Sequence, residues 1–426
     1  MRQRQRDGRR FGRVHGGGAY GGGQGTGAGG GVFGRVRGRP AGALLAGWAV
    51  VLAAGCSPAG GPGAAPGSSP PRGAPSAAAS GSPGGASGAA RSPGAPAKGS
   101  VTVAGEIAKD LASPWGVAPL PDGDLLVASR DGGTISRVAP DTGKVTQIGE
   151  VPGVDPGGEG GLLGLAVSPS FASDRMVYAY FTTASDNRIA RMRYDEHRDP
   201  GQQLGAPDTV LRGIPKGVFH NGGRIAFGPD RMLYAGTGET GDPGLAQDRK
   251  SLGGKILRMT PDGQPVHGNP EPDSVVYSYG HRNVQGLAWD QDKRLWASEF
   301  GQHTWDELNL IEPGGNYGWP EAEGKAGRPG FRDPVAVWRP DEASPSGIAW
   351  AQGSVWMAGL KGERLWRIPM AGAAPAAEPE AFLEGKYGRL RSVIGLGDRL
   401  LLVTSETDGR GSPQAGDDRI LTLTVR

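Results

Sequence analysis

From residue 116 onward one pattern of apolar and polar positions recurs: a short apolar run, a polar turn, then a second apolar or aromatic run. It reads GVAPLPDGDLLVAS (116–129), GLAVSPSFASDRMVYAYF (164–181) and GRIAFGPDRMLYAGTG (223–238), then GLAWDQDKRLWASE (286–299), GIAWAQGSVWMAGL (347–360) and SVIGLGDRLLLVTS (392–405). The turns carry Pro-Asp-Gly, Asp-Arg, Gln-Asp and Gly-Asp, residues suited to hairpins. A third run follows each hairpin: TISRV (134–138), RIARMRY (188–194), GKILRMT (254–260), DELNLI (306–311), ERLWRIP (363–369) and DRILTLTV (418–425). Helical periodicity is nearly absent. Six copies of one hairpin-plus-strand unit predict an all-β domain over residues 101–426. The expected fold is a six-bladed β-propeller of four-stranded antiparallel blades.

Composition sets the propeller apart from what precedes it. The chain has 426 residues, with 78 Gly and 36 Pro. Residues 1–40 are Gly/Arg-rich and residues 57–99 are almost all Ala, Gly, Ser and Pro. Such stretches lack the apolar content to offset backbone ordering, about 1–2 kcal/mol per residue, and are expected to be disordered. Between them Ala41–Ala54 is apolar and uncharged. It is shorter than the ~20 residues that span a bilayer and fits the core of a signal peptide. Cys56, the single cysteine, follows Leu52-Ala53-Ala54-Gly55, which resembles a bacterial lipobox. The expectation is a signal segment (1–55), then a lipidated Cys56 and a flexible tether (56–100), placing an exported domain on the outer face of the cell membrane through the lipid alone. Residues 1–55 hold nine Arg and one acid, a net +8 against +3 for the whole chain. The remainder is therefore at −5, with no electrostatic footprint for nucleic acid.

In a propeller the first strand of each blade lines the central channel. The chain approaching it lies on the same face as the connection from second to third strand. The approaches carry Ser113-Pro114-Trp115, Glu159, His220-Asn221, Arg282-Asn283, Ser344-Pro345-Ser346 and Arg389-Leu390-Arg391. The connections carry Arg130-Asp131, Glu239, Glu299 to Gln302, Lys361 and Glu406. One face thus gathers a histidine, several arginines, a lysine and several carboxylates; three of the arginines and the lysine, gathered with few exposed acids, suit a ligand bearing several carboxylates or phosphates. The Gly-rich stretches 16–31 and 157–164 open no helix of a βαβ unit, so a dinucleotide loop is excluded. His267, His281 and His303 lack the spacing of a zinc site. Most of the ten Trp fall within the repeats and are expected to pack; Trp305 and Trp338 fall in loops.

At these residues the chain resembles the soluble pyrroloquinoline quinone (PQQ)-dependent sugar dehydrogenases, the glucose/sorbosone dehydrogenase family, and within it the aldose sugar dehydrogenases. The resemblance rests on Gly280-His281-Arg282-Asn283-Val284-Gln285-Gly286-Leu287, Glu299-Phe300-Gly301-Gln302, Asp306-Glu307-Leu308-Asn309 and Gly315-Asn316-Tyr317-Gly318-Trp319-Pro320. Supporting stretches include Gly158-Glu159-Gly160-Gly161, His220-Asn221-Gly222-Gly223-Arg224 and Arg389-Leu390-Arg391. It implies oxidation of an aldose at C1 to a lactone, with His220 as general base, PQQ as hydride acceptor and an external electron acceptor. It implies that Glu239, where the family usually has Asp, stands beside His220; the extra methylene displaces the carboxylate by roughly 1.5 Å. Arg282 and Asn283 are implied over the quinone oxygens, and Lys361, Arg389 and Arg391 on the cofactor carboxylates. Glu159, where glucose-specific members carry Gln, implies a broader aldose range. Calcium is implied at the Gly301 and Gln302 carbonyls, with Glu307 and Tyr317 near a second, structural calcium. The alternative is a non-catalytic binding propeller on the same scaffold, which would have no need of the basic clamp. A calcium lactonase would need a carboxylate-rich centre, against the Arg-rich one here.

Overall fold

The computed structural model describes residues 95–426. The signal segment, Cys56 and most of the tether lie outside the described residues. Among the described residues no helix is long and apolar enough to cross a membrane.

Six antiparallel sheets form in chain order, each running from the inner strand outward. The first is Pro114–Pro119, Leu125–Ser129, Thr134–Ala139 and Lys144–Glu150. The second is Leu162–Val167, Met176–Thr182, Asn187–Arg193 and Asp208–Ile214. The third is Ile225–Phe227, Leu233–Gly236, Lys255–Met259 and Val276–Tyr279. The fourth is Val284–Trp289, Leu295–Glu299, Asp306–Ile311 and Ala336–Trp338. The fifth is Pro345–Ala351, Ser354–Gly359 and Leu365–Ala371, edged by Glu380–Phe382 and the two-residue Ala374–Pro375. The sixth joins the two ends of the domain. Leu390–Leu396, Arg399–Thr404 and Ile420–Val425 are completed by Val101–Ala108, with Val101 opposite Val425. This is the expected six-bladed propeller, closed by pairing its first strand with its last.

The apolar residues of the repeats pack between blades. Ala118, Leu126 and Ile135 of the first blade meet Leu162, Val177 and Ala179 of the second. The sixth blade's Leu401, Val403 and Ile420 meet Val117, Leu125 and Val127 of the first, which closes the ring. Burial of these faces, at about 25 cal/mol per Å² of apolar surface, is what holds neighbouring blades together. Five of the six repeats open on glycine because inner strands crowd the axis. A Cβ at Gly164 would strike the Gly223 carbonyl, and one at Gly286 the Ser346 carbonyl. Trp338 ends a strand and is buried, so it is a core residue and not a loop residue.

Candidate active site

Contacts between blades repeat with a period of 61 residues on the face where the inner strands begin. The His220 N–H donates to Glu159 Oε2 (2.8 Å), Gly222 N–H to Asn283 Oδ1 (2.9 Å), and Ser346 Oγ to Gln285 Oε1 (2.9 Å), each across 61 positions. The repeat that sets the fold therefore also sets the register of the polar residues around the axis.

His220 has φ of 57°, a left-handed conformation uncommon for a residue with a side chain. It is held there from both sides, by Glu159 on its N–H and by the Thr240 N–H on its carbonyl (3.2 Å). A Cβ at Gly238 would run into the His220 carbonyl, so glycine is required opposite it. His220 Nδ1 lies 2.6 Å from Glu239 Oε1, and Glu239 Oε2 accepts the Gly241 N–H at 2.6 Å. The longer glutamate thus reaches the histidine. With Nδ1–H donated to a carboxylate, Nε2 carries the lone pair, the state a general base needs.

Arg282 stacks over Trp319 with its guanidinium carbon 5.4 Å from the ring centroid, and Nη1 donates to the Gly301 carbonyl at 2.6 Å. Burial lowers its pKa, opposed by the carboxylates of Glu239, Glu323, Glu159 and Asp306. Among the described residues, the buried donors Arg282 Nε, Asn283 Nδ2 and Arg389 Nε have no hydrogen-bond partner. Orphaned buried donors are rare in folded proteins, and three close to one face call for an acceptor from outside the chain.

A cavity of about 340 Å³ lies on this face, lined by Trp115, Arg130, Glu159, Lys361, Arg389 and Arg391, with Asp408 and Arg410. Among the cations lies one buried acid that the repeats do not mark. Asp408 Oδ2 accepts from Arg389 Nη2 (3.0 Å) and Arg391 Nη2 (2.9 Å), so one carboxylate is seated between the two arginines. Burial alone would raise the Asp408 pKa, but the two guanidiniums outweigh it and bring it down to about 2. Arg391 also donates to Gln285 Oε1 (3.0 Å), and burial lowers its own pKa to about 10. Arg410, which the repeats do not mark, pairs with Glu159 Oε1 at 2.8 Å. Two acids among four arginines and a lysine leave the cavity cationic.

The residues expected at calcium sites fall around the Phe300–Trp305 turn and behind it. The Gly301 carbonyl faces Arg282, and the Gln302 N–H is bonded to Glu323. Glu307 is buried beside Glu299, and burial plus that neighbouring charge push its pKa well above the usual carboxylate range. Asn309 Nδ2 bridges the two carboxylates (2.9 and 3.0 Å), while its Oδ1 has no donor among the described residues. The Tyr317 hydroxyl donates to the Leu310 carbonyl (2.6 Å) and accepts the Glu312 N–H (2.9 Å). Tyr317 could therefore serve a metal through its main-chain carbonyl. Among the described residues no group of three His, Cys, Asp or Glu is arranged to hold a metal.

Residues 111–413 match the family described as Glucose / Sorbosone dehydrogenase. The chain is 73% identical to a structure of the PQQ-bound form of an aldose sugar dehydrogenase from Streptomyces coelicolor, covering 78% of this chain and 100% of that one, with a TM-score of 0.77. It is 42% identical to an oxidoreductase (glucose dehydrogenase) of Thermus thermophilus, covering 76% of this chain and 100% of that one, with a TM-score of 0.70. It is 34% identical over 244 residues to quinoprotein glucose dehydrogenase B of Acinetobacter calcoaceticus, covering 49% of this chain and 50% of that protein. With the propeller, the dyad and the cationic cavity in place, the chain belongs to the glucose/sorbosone dehydrogenase family.

Proposed function

We propose that the protein is a PQQ- and calcium-dependent dehydrogenase that oxidises an aldose at C1 to a lactone. The observation that carries this reading is the His220–Glu239 dyad beside a cationic cavity whose lining includes Arg389, its Nε unpartnered. The donor set fits PQQ, a flat tricarboxylate bearing an ortho-quinone. Lys361, Arg389 and Arg391 would hold its carboxylates, and the unpartnered donors of Arg282 and Asn283 would face its quinone oxygens, with Glu159 at the edge. When bound, PQQ supplies the acceptor for the hydride that leaves C1.

The chain's own residues do the rest. His220 Nε2 takes the C1 hydroxyl proton as the C1–O bond becomes a carbonyl. Glu239 fixes the ring's orientation and stabilises the imidazolium that forms, and such positioned base catalysis contributes about 10²–10⁴-fold. Arg282 places positive charge where negative charge grows, in a water-poor site where it counts most. The aldose approaches from the His220 side. There Val218 (72% exposed) and Phe219 (44% exposed) form an apolar lip to a second cavity of about 470 Å³, which shares Arg130, Asp408 and Arg410 with the first. The Phe219 ring meets His220 edge-on, 4.7 Å between centroids, and offers an apolar wall to a pyranose ring.

Calcium belongs to the same proposal. The Gln302 carbonyl, with the second lone pair of the Gly301 carbonyl that already accepts from Arg282, would serve one ion at the cofactor. The Glu307 carboxylate, the orphaned Asn309 Oδ1 and the Tyr317 carbonyl are the hard oxygen donors a second would need. When bound, the ion would add divalent positive charge at the cofactor to that of the arginines. We further propose export and lipidation at Cys56, with electrons passed to an external acceptor at the membrane. Labelling with a radioactive fatty acid that is abolished in C56S supports the anchor; undiminished labelling rejects it.

The test of the function is direct. The purified full chain is supplied with PQQ and calcium, and dye reduction is followed with a panel of aldoses. Aldose-dependent reduction requiring both additions is expected. A quinone spectrum unchanged by any aldose would leave only the binding propeller.

A further inference from the structure

Arg282 forms no ion pair with a carboxylate among the described residues; its side-chain bonds run to the carbonyls of Phe300 (3.4 Å) and Gly301 (2.6 Å). Its pose therefore depends on what fixes those carbonyls. The Gly301–Trp305 turn is exposed at its tip and has little apolar packing of its own. Four of its five main-chain N–H groups converge on one atom from a distant loop. Glu323 Oε1 accepts the main-chain N–H groups of Gln302 (2.6 Å), His303 (3.0 Å), Thr304 (3.0 Å) and Trp305 (3.2 Å). A run of N–H groups converging on one anion is a charge-assisted nest, stronger than neutral hydrogen bonds.

The next residue locks the same joint from the other side. Gly324 has φ of 76°, donates its N–H to Glu307 Oε1 at 2.6 Å, and lies so close beneath Trp305 that a Cβ would strike the indole. Below the turn, Asp306 Oδ1 accepts the Gly301 N–H (2.9 Å) and its Oδ2 the Ser344 N–H (2.6 Å), tying the fourth blade to the fifth. The Glu323-Gly324 pair is thus keyed to the turn and its flank, with none of these contacts made to substrate or cofactor.

We propose that Glu323 is a positioning residue: it holds the Gly301–Trp305 turn and, through the Gly301 carbonyl, sets the pose of the Arg282 guanidinium for turnover. The proposal rests on the role given to Arg282 in the dehydrogenase reading. Misplacing a reacting group by about 1 Å costs up to about 10²-fold in rate, so a slack turn should be felt at C1 oxidation although Glu323 touches nothing that reacts. Glutamine keeps an oxygen acceptor in the nest and alanine removes it, which separates anchoring from mere presence of a side chain.

The experiment compares the wild-type full chain with E323A and E323Q. Three readouts are used: hydrogen exchange of the 302–305 amides, the Nε–Hε NMR signal of Arg282 in cofactor-free protein, and steady-state kinetics with PQQ and calcium. In E323A the amides should exchange at least about tenfold faster and the Arg282 signal should shift or broaden. In the same variant kcat should fall about tenfold to a hundredfold with KM changed by less than about threefold. E323Q should recover most of each. An Arg282 signal and amide exchange unchanged in E323A would overturn the proposal, as would wild-type kcat in E323A, or E323Q no better than E323A. A wild-type chain with no PQQ-dependent turnover would instead sink the dehydrogenase reading, and the two NMR and exchange readouts would still decide whether Glu323 sets the pose of Arg282.

Discussion

The molecule contains the same pair twice. His220 and His281 sit 61 residues apart, at matching positions of adjacent blades, and each turns Nδ1 to a glutamate at the end of the neighbouring second strand. The distances are 2.6 Å to Glu239 and 2.7 Å to Glu299. What differs is the other face of each ring. The His281 side chain is fully buried, its Nε2 is bonded to Ser278 Oγ at 2.8 Å, and its ring stacks on Tyr317 with centroids 4.6 Å apart. The His220 side chain is 13% exposed, with Nε2 turned away from the pair, and its neighbour Phe219 lines a cavity. One repeat thus places the same kind of pair once in the interior and once with part of the ring open to solvent. The difference lies in access and not in the dyad itself, so a His–Glu pair alone is weak ground for a catalytic role.

Removing each ring in turn separates the two pairs. H220Q should lower kcat by about 10²–10⁴-fold with the unfolding midpoint nearly unchanged, measured by dye reduction and urea unfolding. E239Q keeps a hydrogen bond but loses the charge that stabilises the imidazolium, so kcat should fall about tenfold to a hundredfold. H281A should behave in the opposite sense. Glu299 and Ser278 lose a partner, at about 1–3 kcal/mol for each group left unsatisfied, while kcat of the folded fraction falls less than about tenfold. F219A should raise KM for aldoses about threefold to tenfold without lowering kcat comparably. If H281A and H220Q prove alike in both measurements, the distinction between the pairs is wrong.

The cationic cavity has its own pH signature. Asp408 has a folded pKa lowered to about 2 from an ordinary 3.8. A carboxylate of this kind contributes stability that is present above its unfolded pKa and lost as pH falls through the folded one. Unfolding free energy should therefore drop between about pH 4 and pH 2, and D408N should flatten that limb in urea titrations at stepped pH.

The inner, second and third strands were legible because they are buried and apolar. Leu295–Glu299 and Asp306–Ile311 coincide with the runs that predict them. The outer strands were not. Lys144–Glu150 and Asp208–Ile214 are largely exposed, and a half-solvated edge strand needs no apolar alternation. The pairing of Val101–Ala108 with Ile420–Val425 was equally hidden, since no local pattern signals a partner at the far end of the chain. At the candidate site, the repeat itself fixes where His220, Glu239, Arg282, Asn283, Arg389 and Arg391 sit around the axis. Asp408, Arg410 and Glu323 were missed because they lie in loops beyond the repeat. Glu323 moreover acts on main-chain amides, which leave no trace in residue type.

His220 is proposed to take the proton of the C1 hydroxyl, in a cavity whose cofactor is held by other residues. Single-turnover mixing of an aldose with PQQ-loaded H220A, followed by the quinone absorbance, tests it most directly. The cofactor should remain bound and oxidised over the time in which the wild-type protein is fully reduced. Reduction of H220A at the wild-type rate would contradict it.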